Sequence, residues 1–244
     1  MKMSMFRSLC AAALFALVSN VQAATLVDET FSYPDGSLVP NGGWVNHSGT
    51  LGDLLVSGGQ AVVEHGAPSE DAHLIFGAVS TGVLTADFDI VVNDDSVIAG
   101  NDFEYFAHFM LDGSFNFGAR LDIVAPTDAA SGDFTLGIAT TSSTAESTLP
   151  TDFSFGQSIP VSLSFDFDAG LASVTAGGNT ATSTSVFLGE TYDSFALRQS
   201  DSSNNESIMV DNLIVSGTLD VPEPASIALA LLGVVAIGAR RRNG

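Results

Sequence analysis

From Thr25 onward, apolar residues recur at every second position rather than at the 3.6-residue spacing of a helix. Leu84, Ala86, Phe88, Ile90 and Val92 fall on one side of such a segment, with Thr85, Asp87 and Asp89 on the other. A second stripe holds Phe103, Tyr105, Ala107, Phe109 and Leu111. Asp112-Gly113, suited to a tight hairpin, turns it into Phe115, Phe117, Ala119, Leu121 and Ile123. Phe134, Leu136 and Ile138 make a shorter run. Val161, Leu163, Phe165 and Phe167 alternate with Ser162, Ser164, Asp166 and Asp168. Ala169-Gly170 then reverses the chain, and residues 171–176 return towards Gly177-Gly178-Asn179. Residues 195–197 and 208–215 complete the series. The Ser- and Thr-rich stretch 140–150 and residues 201–206 read as exposed loops. Neither a helical stretch nor a fixed repeat interrupts the pattern, which predicts an all-β, antiparallel jelly-roll β-sandwich over residues 24–217.

The two ends break the alternation. Lys2 and Arg7 precede an apolar run over residues 9–18, and Val21-Gln22-Ala23 supplies small residues before a cut between Ala23 and Ala24. Residues 1–23 therefore read as a secretory signal peptide. Residues 218–244 form a tail in three parts: Pro222-Glu223-Pro224, an uncharged segment 225–239, and Arg240-Arg241-Arg242. The prolines fix φ and remove two backbone donors, so the segment before the apolar run is extended. The run itself is apolar all round, as expected of a helix in lipid. As a helix it spans about 22 Å. That is short of the ~30 Å hydrocarbon layer, but flanking residues and local thinning let it cross. The three arginines then stay on the cytoplasmic side.

Charge and cysteine content narrow the function classes. Residues 24–220 carry two basic residues, Arg120 and Arg198, against 27 acidic ones, a net charge of −25. Such a surface repels nucleic acid and anionic lipid and keeps an exported protein soluble. The single cysteine, Cys10, lies inside the signal peptide, so the processed chain has no disulfide, thiolate metal site or cysteine nucleophile.

The ordered tail resembles the PEP-CTERM sorting signal of Gram-negative bacteria, on Pro222, Glu223, Pro224, the apolar segment and Arg240 to Arg242. The resemblance implies a transient inner-membrane-anchored intermediate. An exosortase-like membrane protease would then sort the protein to the outer cell surface or an extracellular matrix. A second resemblance covers most of residues 25–217. Phe31-Ser32-Tyr33-Pro34-Asp35-Gly36-Ser37-Leu38 with Asn41-Gly42-Gly43-Trp44 is similar to the opening of concanavalin A-like or laminin G-like jelly rolls. Ile208-Met209-Val210-Asp211-Asn212-Leu213-Ile214-Val215 is similar to their closing strand. Carbohydrate binding is common in that superfamily, but the fold does not confer it.

Catalytic patterns are weak. Asp87-Phe88-Asp89 and Asp166-Phe167-Asp168 each put two carboxylates on one strand face, without the spacing that glucanases of this fold use, and read as a solvated outer face. No Gly-x-Ser-x-Gly elbow, phosphate loop or dinucleotide pattern occurs. His47, His65, His73 and His108 lack zinc spacing. Asn93-Asp94-Asp95 and Asn101-Asp102 bracket a loop whose oxygens suit a structural calcium ion; no other cofactor is expected. Trp44, Tyr33, Tyr105 and Tyr192 are candidate stacking platforms for a glycan, with a core role favoured for Trp44. Thr180, Thr182 and Thr184 alternate as on an edge strand. The first expectation is thus a non-enzymatic exported protein, structural or adhesive in an exopolysaccharide matrix. A lectin-like carbohydrate-binding module is the alternative, and a divergent glycoside hydrolase the third.

Overall fold

Alternation becomes two facing sheets in a computed structural model, which describes residues 23–64, 66, 68–93, 105–199 and 207–220. The strands are β1 (Ala24–Glu29), β2 (Gly36–Ser37), β3 (Trp44–Gly49), β4 (Leu55–Ser57), β5 (Gln60–Glu64), β6 (Glu70–Val79), β7 (Val83–Asn93) and β8 (Tyr105–Met110). They continue with β9 (Phe117–Val124), β10 (Thr135–Ala139), β11 (Ser147–Thr148), β12 (Ser158–Asp166), β13 (Leu171–Ala176), β14 (Asn179–Thr182), β15 (Tyr192–Arg198) and β16 (Ser207–Gly217). A nine-stranded sheet runs β14-β13-β12-β7-β16-β5-β4-β2, with β1 also paired to β16. A seven-stranded sheet runs β11-β10-β9-β8-β15-β6-β3. Every pairing is antiparallel, the jelly-roll arrangement the alternation predicts.

The inward positions of β7 (Leu84, Ala86, Phe88, Ile90 and Val92) are all buried, while Thr85, Asp87 and Asp89 face away from the core. The two sheets meet through aromatic pairs. Phe88 packs edge-on against Phe195 at 5.6 Å, and Phe165 against Tyr192 at 5.0 Å. Burying each such side chain stabilises the fold by roughly 1.5–3 kcal/mol. The first and last strands pair from Ala24–Gly217 to Glu29–Leu213, closing the sandwich as the resemblance of its two ends implies.

Four expectations need correction. In β8 all six residues are buried, and pairing with β9 slips twice, as at a bulge. A bulge adds one residue and so reverses which face the next side chain takes. Phe106 therefore enters the core beside Ala107 and Phe109, and Tyr105 turns outward. On the returning strand Ala119 has φ 55°, and Phe117 leaves the core while Ala119, Leu121 and Ile123 stay in it. Phe115 lies in the turn and is exposed. Finally, the stretch 140–150 is not all loop: it contains edge strand β11 and buries Thr140 and Leu149. Phe103, residues 201–206, the signal peptide and the sorting tail lie outside the described residues, apart from Ala23, Ala24 and residues 218–220.

Candidate functional site

Outward positions on the seven-stranded sheet collect groups that are rare elsewhere in the chain. Register aligns Val45, His73, Ala196 and His108 across β3, β6, β15 and β8. The small Ala196 separates the two imidazoles, and all three side chains are buried. One step along, Arg198 pairs in register with Asp71, and Tyr105 with Asp122. Both basic residues of the body thus reach one face. The Arg120 and Arg198 guanidinium carbons lie 4.6 and 4.3 Å from the centre of the Tyr105 ring, within cation–π range. Arg120 also lies 5.4 Å from the Phe117 ring.

Three histidines share this face. His108 is buried and sits edge-on between Phe117 at 4.8 Å and Tyr105 at 5.5 Å. Burial pushes its pKa well below the usual imidazole range, and Arg120, Arg198, His47 and His73 push the same way, so the ring is neutral. His47 meets His73 at 5.6 Å, Phe115 at 5.7 Å and Phe117 at 5.4 Å. Burial lowers its pKa first, then His73; Asp71 and Asp112 oppose the shift. His73 Nε2 lies 3.1 Å from Asp112 Oδ1, at ion-pair distance but without hydrogen-bond alignment. Asp71 is held above the usual carboxyl range by burial, opposed by the hydrogen bond from Ser48 Oγ at 2.6 Å.

Where β8 turns into β9, these groups border an open groove. Val45, Asn46, His47 and His73 line one side, and Asp112 to Phe115 the other. The turn is built by the Asp112-Gly113 pair: Gly113 takes φ 70°, and Ser114 N–H donates to Leu111 O at 3.1 Å. Asp112 N–H donates to Asp193 Oδ1 at 2.8 Å, which ties the turn to β15. Phe115 is left 83% exposed, an uncommon state for a phenylalanine. The groove offers an aromatic face beside a carboxylate, an amide and two imidazoles. Such a set can stack on the apolar face of a ring while exchanging hydrogen bonds with its edge.

The aromatic residues singled out from sequence divide sharply. Trp44 is 1% exposed, stacks with Phe31 at 6.0 Å and donates its indole N–H to Glu29 Oε2, so it belongs to the core as expected. Tyr33 donates to the same carboxylate at 2.7 Å. Tyr192 is fully buried. Only Tyr105 reaches the outer face, under its two guanidinium groups. Phe115, Phe117, His47, His73, Arg120 and Arg198 were not anticipated as a group. The scarcity of arginine was the signal that could have drawn attention to Arg120 and Arg198.

The acidic pairs lie elsewhere. Asp87 and Asp89 line a separate open groove on the outer face of the nine-stranded sheet, with Ser162, Thr175 and Asn212. Asn212 Nδ2 donates to Asp89 there at 2.9 Å. Asp166 Oδ1 accepts the N–H groups of Asp168 and Ala169 at 2.9 and 3.0 Å, a turn-forming role. Thr180 and Thr182 lie on edge strand β14 and bond across to Thr175 and Ser173. Among the described residues, no group of three or more His, Cys, Asp or Glu side chains is arranged to hold a metal ion. Asn93 ends β7, while Asp94, Asp95, Asn101, Asp102 and His65 lie outside the described residues. Ala23 and Ala24 are exposed, and a cut between them leaves β1 whole. Pro222, Glu223, Pro224 and Arg240 to Arg242 lie outside the described residues. No helix among the described residues is long and apolar enough to cross a membrane.

Residues 220–242 match the family model of the PEP-CTERM protein-sorting motif. The motif marks an exported surface protein, handled by an exosortase at the membrane. No curated protein is significantly similar in sequence to the chain. Among solved structures, a peanut lectin with a nine-residue peptide superposes with a TM-score of 0.53 at 14% identity, over 82% of this chain and all (100%) of that one. The basic winged bean lectin with Tn-antigen gives 0.53 at 10% identity, over 82% and 100% of the two chains. A Lotus tetragonolobus seed lectin gives 0.52 at 11% identity, over 80% and 100%. At these identities the likeness is one of fold, the concanavalin A-like jelly roll.

Proposed function

We propose that the body is an adhesive module of an extracellular polysaccharide matrix, and that it holds glycan in the groove between His47, His73, Asp112 and Phe115. One observation carries this reading. In a body of net charge −25, both arginines and three histidines gather on one sheet face, and that face ends at an almost fully exposed phenylalanine. A solvated surface gains nothing from exposing Phe115, whereas a pyranose ring stacked on it would bury apolar area on both sides. Asp112 accepts sugar hydroxyls beside the Asn46 amide, and the buried imidazole of His73 backs the groove. The lectin-like architecture supports the reading only by showing that this type of sandwich can carry such a groove. Binding without turnover is part of the proposal.

The test is retention of the full chain, purified in detergent, on a panel of bacterial exopolysaccharides. Phe115→Ala is expected to weaken binding about tenfold, which corresponds to ~1.4 kcal/mol, and Asp112→Ala, at the half-exposed carboxylate, to weaken it as well. Equal retention of both variants and the parent would remove the groove from the reading. Absence of retention on every polysaccharide would leave the body a structural component rather than an adhesive one.

A further inference from the structure

The tail leaves the body at an end of the sandwich that displays apolar side chains to solvent. Val186, Phe187 and Leu188, consecutive in the loop between β14 and β15, are 59%, 41% and 62% exposed. They are held in place rather than loose. Glu146 Oε2 accepts the N–H groups of Thr184 and Ser185 at 2.8 and 2.7 Å, fixing the start of the loop. Phe187 N–H donates to Gly170 O at 2.8 Å. A Cβ on Gly170 would meet Phe187 O at 2.7 Å, so this approach needs the glycine. A fixed loop that presents three large apolar residues outward marks a surface with a partner.

The position of the tail identifies that partner. Asp220 N–H donates to Ala78 O at 2.8 Å, and Ser80 N–H donates to Asp220 Oδ1 at 3.1 Å, so the tail departs beside the β6–β7 turn. Phe167 N–H donates to Gly82 O at 2.9 Å, which places the β12–β13 turn next along the same end. That turn contains Gly170 and touches Phe187. Two to three strand spacings separate β16 from the β12–β13 turn on which Phe187 rests, about 10–14 Å. Val83, exposed, lies between them on β7, and exposed Leu219 sits at the tail exit against Gly77. Only residues 221–224 separate the described body from the apolar segment at 225–239, and two of those four are proline. Fully extended, that link reaches about 14 Å. Ala24 pairs with Gly217, so the segment preceding the body enters at this end as well. At the opposite end, Leu51 is the one large exposed apolar residue in the loops among the described residues.

We propose that, while its tail is in the membrane, the protein docks this end on the surface of the same bilayer, with Val186, Phe187 and Leu188 inserted at the headgroup–acyl boundary. The link is too short to hold the body away from the lipid, and the apolar loop removes the need to. Asp168, Glu190 and Asp220 share the end, so apolar area rather than charge attraction drives the contact, and anionic lipid weakens it. Removal of the tail then releases the body, because three side chains without an anchor hold only weakly. The inference rests on the sorting motif; the β8–β9 turn with Phe115 borders this same end, held to Asp193 and Glu190, but the Phe187→Trp readout needs no glycan.

The test uses the full chain reconstituted into phosphatidylcholine vesicles with dibrominated acyl chains. Trp44, the only tryptophan, is buried and provides a constant background. Phe187→Trp is expected to lose roughly half of its added emission to bromine quenching, as a ring inserted ~5–10 Å would. Leu51→Trp, at the far end, is expected to lose almost none. Equal quenching at both positions would mean unspecific adsorption, and quenching at neither would mean no docking; either overturns the proposal. So would a blue shift of Phe187→Trp that appears only in membranes containing the sorting protease, since the partner would then be protein. If Phe187→Trp does not melt cooperatively, Val186→Trp reports the same contact.

Discussion

Glu29 accepts the indole N–H of Trp44 at 3.2 Å inside the core, across fifteen residues of chain. Its other oxygen accepts Phe31 N–H at 2.6 Å, and Tyr33 donates its phenol to Oε2 at 2.7 Å. One buried carboxylate therefore holds the whole opening segment against the sandwich. Glu29→Ala is expected to cost ~3 kcal/mol, because it strands two buried donors. Urea denaturation followed by Trp44 fluorescence checks this, with a lower midpoint and an unchanged slope.

The same carboxylate governs an alkaline transition. Burial raises the Tyr33 pKa to about 12, helped by its hydrogen bond to Glu29 and by the charge of Glu29. The folded state therefore keeps a proton that the unfolded chain releases near pH ~10. The stabilisation is complete below that pH and is lost as pH rises towards about 12. A phenolate absorbance titration should show two late tyrosines, Tyr33 and the buried Tyr192, and only the Tyr33 step should move earlier in Glu29→Ala.

Gly118 and Tyr192 are coupled sterically. A Cβ on Gly118 would lie 2.0 Å from the Tyr192 hydroxyl, which is buried and has no hydrogen-bond partner. Gly118→Ala is expected to destabilise by ~1–3 kcal/mol through overpacking. Tyr192→Phe is expected to be neutral or stabilising, because it removes an unpaired buried hydroxyl. In the double variant most of the Gly118→Ala cost should remain, because Cζ and Cε2 of the ring, at 2.4 and 2.9 Å from that Cβ, stay in place; thermal melts of the four proteins measure how little is recovered.

His108 confers acid sensitivity. Its pKa is lowered by burial first and then by Arg120, Arg198, His47 and His73. The unfolded chain binds a proton at pH ~6.5 that the folded chain refuses. Stability is therefore full above that pH and falls as pH drops towards the folded value. Asp71, shifted upward, works in the opposite sense at lower pH. Melting temperatures from pH 7.5 to 4.5 should fall for the parent and fall less for His108→Phe.

Glu70 organises the loop between β3 and β4. Its Oε2 accepts the N–H groups of Gly52, Asp53 and Leu54 at 2.9, 2.8 and 2.9 Å. Glu70→Ala is expected to free those three amides, with faster hydrogen exchange confined to residues 50–54 and a lower melting temperature.

Much of the architecture could be read from local pattern. The alternation in β7 and β12, the glycine at Gly113 and the reversal at Gly170 all act over a few residues. Side-chain parity and turn chemistry are local properties, so no distant partner was needed to see them. The sorting motif was legible for the same reason, since Pro222-Glu223-Pro224, an apolar run and three arginines stand in one short stretch.

Tyr105 and Phe117 mark where that reading stops. Both continue an apolar stripe in sequence, yet bulges in β8 and β9 rotate them out of the core and under the guanidinium groups. A bulge is settled by how two strands fit, and neither strand encodes that alone. His47, His73, Asp112 and Arg198 are likewise scattered along the chain and converge only through the order of β3, β6, β8 and β15. Sequence by itself determined the β class, turns such as those at Gly113 and Gly170, and the sorting motif, because each depends on neighbours within a strand or a short run. Tertiary structure alone decided which face gathers the charges and which end the tail shares with Val186 to Leu188, because cross-strand register joins residues as distant in the chain as Asp71 and Arg198, or Ala24 and Gly217, in no periodic way.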